Sequence, residues 1–254
     1  MPAALAGMMA LCALSSATPV AAQAPLRVVS MNLCTDQLAM LLDDEGQLIS
    51  VSRIATDPRS SAMATQAADY PQNSGLAEEV FLMQPDLVVA GSFTARASVN
   101  MLERLGIPVI TFSPASSLDE VRDRITQMGE ALGRQDRAAA MVADFDRQLA
   151  DYRAATTTRP RAALYYANGY TSGDKTLAGQ ILSTAGLTNI AAEEGFSAGG
   201  VIPLEVLAMA QPDTVITSAP YPAASRSEEV QRHPVVEALR RTRPDAAMTD
   251  SDWV

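Results

Sequence analysis

Histidine is almost missing from this chain: His233 is the single imidazole in 254 residues. That argues against a zinc or manganese receptor built from clustered imidazoles or thiolates, which needs several such ligands at one point. A haem iron with an axial histidine would have only His233, which stands before a proline and reads better as a capping or surface residue. Cysteine is as scarce, with Cys12 and Cys34 alone. Lysine occurs once, as Lys175, while acids outnumber bases 29 to 19 for a net charge of −10. No basic stripe forms, which argues against nucleic acid as a partner. The Gly-rich stretches ANGYTSGD and NSGLAEE lack the spacing and the Lys-Ser/Thr of a phosphate-binding loop. The apolar run Leu5 to Leu14 is too short to span a bilayer.

One message is present twice, 127 residues apart. Residues 78–92 read EEVFLMQPDLVVAGS and residues 205–219 read EVLAMAQPDTVITSA. Glu78, Gln84, Pro85, Asp86 and Val88 coincide with Glu205, Gln211, Pro212, Asp213 and Val215. Each copy predicts a short helix, a Pro-Asp break and a buried parallel strand. The proline cannot continue a helix and should push the residue before it into extended geometry. Two αβ units at half the chain length imply two similar lobes, and a cleft between lobes is where small molecules bind.

Residues 1–22 carry no charged side chain and end in small residues, with Val20 and Ala22 at the −3 and −1 positions of a cleavage site. They read as a secretory leader. Cys34 is then left alone, as a buried small hydrophobe, a reactive thiol, or half of a disulfide whose partner is absent from these residues. Residues 26–112 alternate strands and helices, with a polar loop running to Gly75. Residues 118–157 are helical, Gly133 dividing a shorter helix from one over Gln135 to Ala155 that spans on the order of 30 Å. Its apolar stripe is Ala138, Met141, Val142, Phe145, Leu149 and Tyr152. Such a helix makes a stiff strut. Strand RAALYYA, a helix over Lys175 to Ala185, the second repeat, a helix over 234–241 and strand DAAMT follow. A sheet edge with no closing helix predicts a missing C-terminus.

RVVSMNLCTDQLAMLL, the two Glu-x6-Pro-Asp units, LYYANGYTSGDKTLAGQIL and DSDWV together resemble the periplasmic iron-siderophore/cobalamin binding proteins of ABC importers, over essentially everything after residue 25. The resemblance implies an α/β fold, two Rossmann-like lobes joined by a single long helix. Its parts would be a leader (1–22), an N-terminal lobe (25–133), a connecting helix (134–157) and a C-terminal lobe (160–254). It implies a monomeric periplasmic receptor for a ferric siderophore, haem or corrinoid, without enzymatic activity or resident cofactor, that docks on permease subunits. Glu78 and Glu205 take the docking role by the resemblance; a helix-opening charge favoured by the dipole is the plainer reading. Relatives often carry a cysteine soon after the terminal tryptophan, which could pair with Cys34; this chain ends one residue after Trp253.

Ligands of open α/β sheets meet the loops at the carboxyl ends of strands. Those loops offer Asn32, Arg53, Ser92 and Phe93 in the first half. The second half offers Tyr166, Asn168, Tyr170, Tyr221 and Trp253. Aromatic faces suit a bulky ligand, and amides with one guanidinium suit its polar rim. The tyrosines of LYYA read equally as core, and Arg53 as a solvated loop charge. One motif points to an enzyme: Gly195-Phe196-Ser197-Ala198-Gly199 fits a nucleophile elbow, with Asp213 and His233 following in hydrolase order. The residues around it, AAEE before and GVIP after, lack the strand and helix an elbow requires.

Overall fold

The structure, a computed structural model, describes residues 24–155, 158–218, 226–241 and 248–249. Val28 and Val29 pack on opposite faces of the same strand, as do Leu87 and Val88 of another. A strand with both faces apolar belongs inside a parallel sheet with helices on each side. The first lobe is built that way. Its chain order is β1 (Val28–Ser30), α1 (Leu33–Leu42), β2 (Leu48–Ser52), α2 (Ala64–Ala67), β3 (Gln72–Asn73), α3 (Ala77–Leu82), β4 (Leu87–Gly91), α4 (Arg96–Arg104) and β5 (Val109–Phe112). The sheet order is β3-β2-β1-β4-β5, all parallel. Helix α1 covers one face through Ala39, Met40 and Leu42; α3 and α4 cover the other through Val80 and Leu102.

Two helices follow, α5 (Leu118–Leu132) and α6 (Gln135–Ala155). Gly133 separates them in left-handed geometry at φ +68°, a conformation that carries no Cβ penalty in glycine. Helix α5 joins the α1 face of the sheet through Ile125, Met128 and Leu132. Helix α6 packs back on it so closely that a Cβ on Gly129 would lie 2.3 Å from the Ala138 Cβ. Only the first part of the α6 stripe is well covered: Ala138 is buried and Met141 and Val142 pack on the core. Phe145 lies under the Arg122 guanidinium, 5.5 Å from it, while Tyr152 is 62% exposed, contrary to its place in the expected stripe.

The second lobe comprises β6 (Arg161–Leu164), β7 (Tyr170–Thr171), α7 (Leu177–Thr184), β8 (Thr188–Asn189), α8 (Ile190–Glu193), β9 (Gly200–Val201), α9 (Leu204–Ala210), β10 (Thr214–Ser218), α10 (Pro234–Arg241) and β11 (Met248–Thr249). Its parallel sheet runs β11-β10-β6-β8, and β7 with β9 forms a small antiparallel ribbon. Two separate sheets and one crossing between them give the α/β fold of two lobes and a helical strut.

Three expectations need correction. The supposed polar loop to Gly75 contains α2 and β3, and the β7–β9 ribbon was not foreseen; elements of two to four residues carry no readable periodicity. The residues before the repeat prolines are not extended: Gln84 has φ +51° and Gln211 φ +48°. Both follow their helices as left-handed caps, and the reason is tertiary. In the first lobe the Arg27 guanidinium donates to the carbonyls of Met83 and Gln84, while Asp86 Oδ2 accepts from the amides of Leu26 and Arg27. In the second, Arg161 donates to the Ala210 carbonyl and Asp213 Oδ2 accepts from the Arg161 amide. The Gln-Pro-Asp unit thus ties a helix end to the start of each lobe's first strand. These clamps outweigh the local preference of a residue before proline.

Candidate functional site

In the first sheet, β1 leads to β2 on one side while β4 continues on the other, so the carboxyl ends of β1 and β4 diverge into a crevice. A cavity of 480 Å³ opens there. The carboxyl ends of β1, β4 and β5 and the turns after them supply Asn32, Gly91, Ser92, Phe93 and Phe112, and helices α1 and α5 close it with Leu38, Leu41 and Val121. From the second lobe Leu177, the first residue of α7, reaches the same wall. A second link between the lobes lies beside it, where the Leu118 amide at the start of α5 donates to Gln180 Oε1 of α7 at 2.9 Å.

The expected ligand residues divide. Phe93 stands at the cavity with 86% of its surface in water, beside exposed Ser92. Asn32 lines the cavity too, but its Oδ1 caps α1 by accepting from the Cys34 amide, and its side chain abuts Gly91. Arg53 is exposed and lies outside the residues lining the cavity, near Glu79. Tyr166 packs with Leu164 and Leu182 in the second lobe's core, and this burial pushes its hydroxyl pKa up. Tyr165 is buried on the opposite face of the same sheet. Asn168 is exposed at φ +56°, and Tyr170 is 44% exposed on β7. Tyr221 and Trp253 lie outside the described residues, as do the leader and Cys12.

Cys34 is an exposed free thiol at the cavity, which removes the reading of it as a buried hydrophobe. Partial desolvation and then the neighbouring Asp36 push its pKa up. Asp36 itself is fully buried and holds Ser52, accepting from its amide and hydroxyl. Desolvation raises its pKa against those hydrogen bonds.

Glu78 and Glu205 occupy the same place, second residue of α3 and of α9, and both side chains are exposed. Glu79 is committed locally, accepting from the amide and hydroxyl of Ser74. The hydrolase trio is not assembled as one. Asp213 clamps β6 at the amino end of β10; His233 Nδ1 accepts from the Val235 amide at the start of α10; Ser197 sits in a turn whose carbonyl holds the Lys175 amide.

Sequence reasoning missed Arg124. It projects from α5 to the cavity, and its buried Nε has no hydrogen-bond partner among the described residues. Nothing in the helical spacing marks it, because Arg122 and Arg124 share a segment that reads as connector. Arg122 is spent on Asp119 and Asp146. Among the described residues no group of three or more His, Cys, Asp or Glu side chains is placed to hold a metal ion.

Comparison with known proteins agrees with this architecture. A protein named cobalamin-binding protein from Halobacterium salinarum is 32% identical over 199 residues, covering 76% of this chain and 54% of its own. The chain therefore spans about half the length of that relative. An apo periplasmic heme-binding protein from Roseiflexus superposes with a TM-score of 0.66 at 21% identity, covering 85% of this chain and 87% of its own. A periplasmic vitamin B12 binding protein of Vibrio cholerae gives 0.62 at 19% identity, covering 91% and 89%. The periplasmic binding protein family model matches residues 28–243, the span from β1 through α10. With two parallel sheets, one crossing helix and a crevice at the strand ends, the chain belongs to the periplasmic binding protein family.

Proposed function

We propose that the chain is an exported solute receptor, without catalysis of its own, that captures a corrinoid or haem-type macrocycle between its lobes and delivers it to an ABC import permease. The observation that carries this reading is the 480 Å³ cleft with an apolar wall drawn from both lobes. That volume is in the range of small-molecule sites. Phe93 offers a face on which a flat ring can stack, worth roughly 1.5–3 kcal/mol if it becomes fully buried. Arg124 is one guanidinium for one polar substituent at the rim, and the exposed Asn168 and Tyr170 of the second lobe are further candidates, with Tyr221 and Trp253. A polyanionic ferric catecholate would call for more cations than this. The relatives named above for cobalamin and heme bind ligands of the favoured class. A single strut in place of loose hinge strands makes closure small, so affinity rests on a largely preformed cleft.

Titrating the purified chain with cyanocobalamin, haemin, a ferric hydroxamate and a ferric catecholate, followed by quenching of tryptophan and tyrosine fluorescence, tests this directly. One of the two macrocycles should bind best, and Phe93→Ala and Arg124→Ala should each weaken it about tenfold. Binding of neither macrocycle would refute the reading. Delivery has its own test: Glu78→Ala with Glu205→Ala should abolish most uptake and leave ligand affinity unchanged. Collapse of affinity would instead make those glutamates structural or ligand-facing. Turnover of a simple ester, removed by Ser197→Ala, would overturn the non-catalytic reading.

A further inference from the structure

The repeat matches in exposure as well as in sequence. In each copy the glutamate is exposed and the residue two places on, Val80 or Leu207, is buried. Four places after the glutamate a large apolar side chain stands in water: Leu82 is 80% exposed and Met209 84%. Residues i and i+4 of a helix share a face, with Cβ atoms about 5–6 Å apart. Each lobe therefore presents a carboxylate and an apolar knob side by side. On the first lobe the knob is enlarged by Phe81, Met101 and Leu105, which with Glu78 and Leu82 line a 300 Å³ groove between α3 and α4. Glu78 is the only charged residue lining it. Single exposed apolar side chains are ordinary on a protein surface, but two at equivalent positions of two lobes, each beside a carboxylate, form a pattern.

Resting on the importer reading above, we propose that Leu82 and Met209 are twin docking knobs. They seat in a membrane partner whose own surface is repeated by a two-fold, each half offering a cation beside an apolar socket one helical turn away. The charge selects this occupant. A second copy of the chain would set glutamate against glutamate on a molecule of net charge −10, and an anionic lipid surface would repel the same carboxylates. The two parts of each site do different work. Glu78 and Glu205 steer encounter and weaken with salt, whereas the knobs hold the complex once formed and do not.

The test places a photoreactive benzophenone side chain at position 82 or at position 209 of the full chain in its native cells. Irradiation should give adducts from both positions in one membrane protein, at equivalent residues of its two halves or two copies. Leu82→Ser should lower the yield from position 209 about tenfold, and Met209→Ser that from position 82, with melting temperature and ligand affinity unchanged. In binding to that partner, the serine variants should speed dissociation at all salt concentrations, and the glutamate variants should slow association chiefly at low salt. Adducts to lipid, to a second copy, within the chain, or to no product at all overturn the proposal, as does an unchanged yield in the serine variants. The importer reading fails separately. Deleting the chain would then leave corrinoid and haem accumulation intact even though both positions still marked a two-fold membrane protein.

Discussion

Gln84 and Gln211 hold a left-handed backbone directly before proline, at φ +51° and +48°. A residue of that conformation with a Cβ costs about 1–2 kcal/mol, and a β-branched one costs more. Gln211→Val should therefore destabilise the second lobe by at least about 1 kcal/mol in urea denaturation, and Gln211→Gly should not. Equal stability of the two variants would show that the clamp from Arg161 does not hold the turn as described. The repeat itself was legible as letters; its geometry was not, because the guanidinium clamps span 57 and 49 positions of the chain. Arg124 was illegible for a related reason: periodicity separates faces of a helix but does not say which polar residue looks into a cleft. Asp36 gives a pH signature. Its folded pKa is raised above the unfolded carboxylate value, mainly by desolvation. Native Asp36 thus keeps a proton that the unfolded chain has released, and stability declines as pH rises from about 4 through the folded pKa. Asp36→Asn should remove that decline from a plot of unfolding free energy against pH; an unaltered plot would assign it elsewhere.

At the level of elements, the α5–α6 pair was readable, since fifteen and twenty-one residues of helical spacing bracket a glycine stop. Elements α2, β3, β7 and β9 were not, each being four residues or fewer and held by partners distant in sequence. Asn73 of β3 illustrates this: buried, it donates to the carbonyls of Ser30 and Val51 and to the Ser50 hydroxyl. The α5–α6 pair depends on Gly129. Gly129→Ala sets a methyl 2.3 Å from that of Ala138, and helix backbones, unlike side-chain tips, cannot simply turn away. Overpacking of this kind costs about 1–3 kcal/mol. The expected result is a lower melting temperature with the two lobes individually intact by circular dichroism. Retention of the wild-type melting temperature would mean that α6 is free to slide on α5.

At the scale of the whole molecule, the links between the lobes among the described residues include the strut, the Leu118–Gln180 hydrogen bond and Leu177 at the cleft wall. Because α6 is well covered only along its first part, the α5–α7 contact is the place to test relative motion of the lobes. Gln180→Ala should leave each lobe's stability unchanged and weaken cleft ligands by about tenfold or less, the size of one lost hydrogen bond. Scattering of the free variant should show a wider spread of shapes. No change in either would remove α7 from the closing of the cleft. A single crossing has one further consequence. Among the described residues, every strand of the first sheet comes from the stretch ending at Phe112, and every strand of the second from the stretch beginning at Arg161. As the polypeptide emerges amino end first, the leading half can consolidate all its pairings before the trailing half exists, so the two assemble in sequence without waiting on each other.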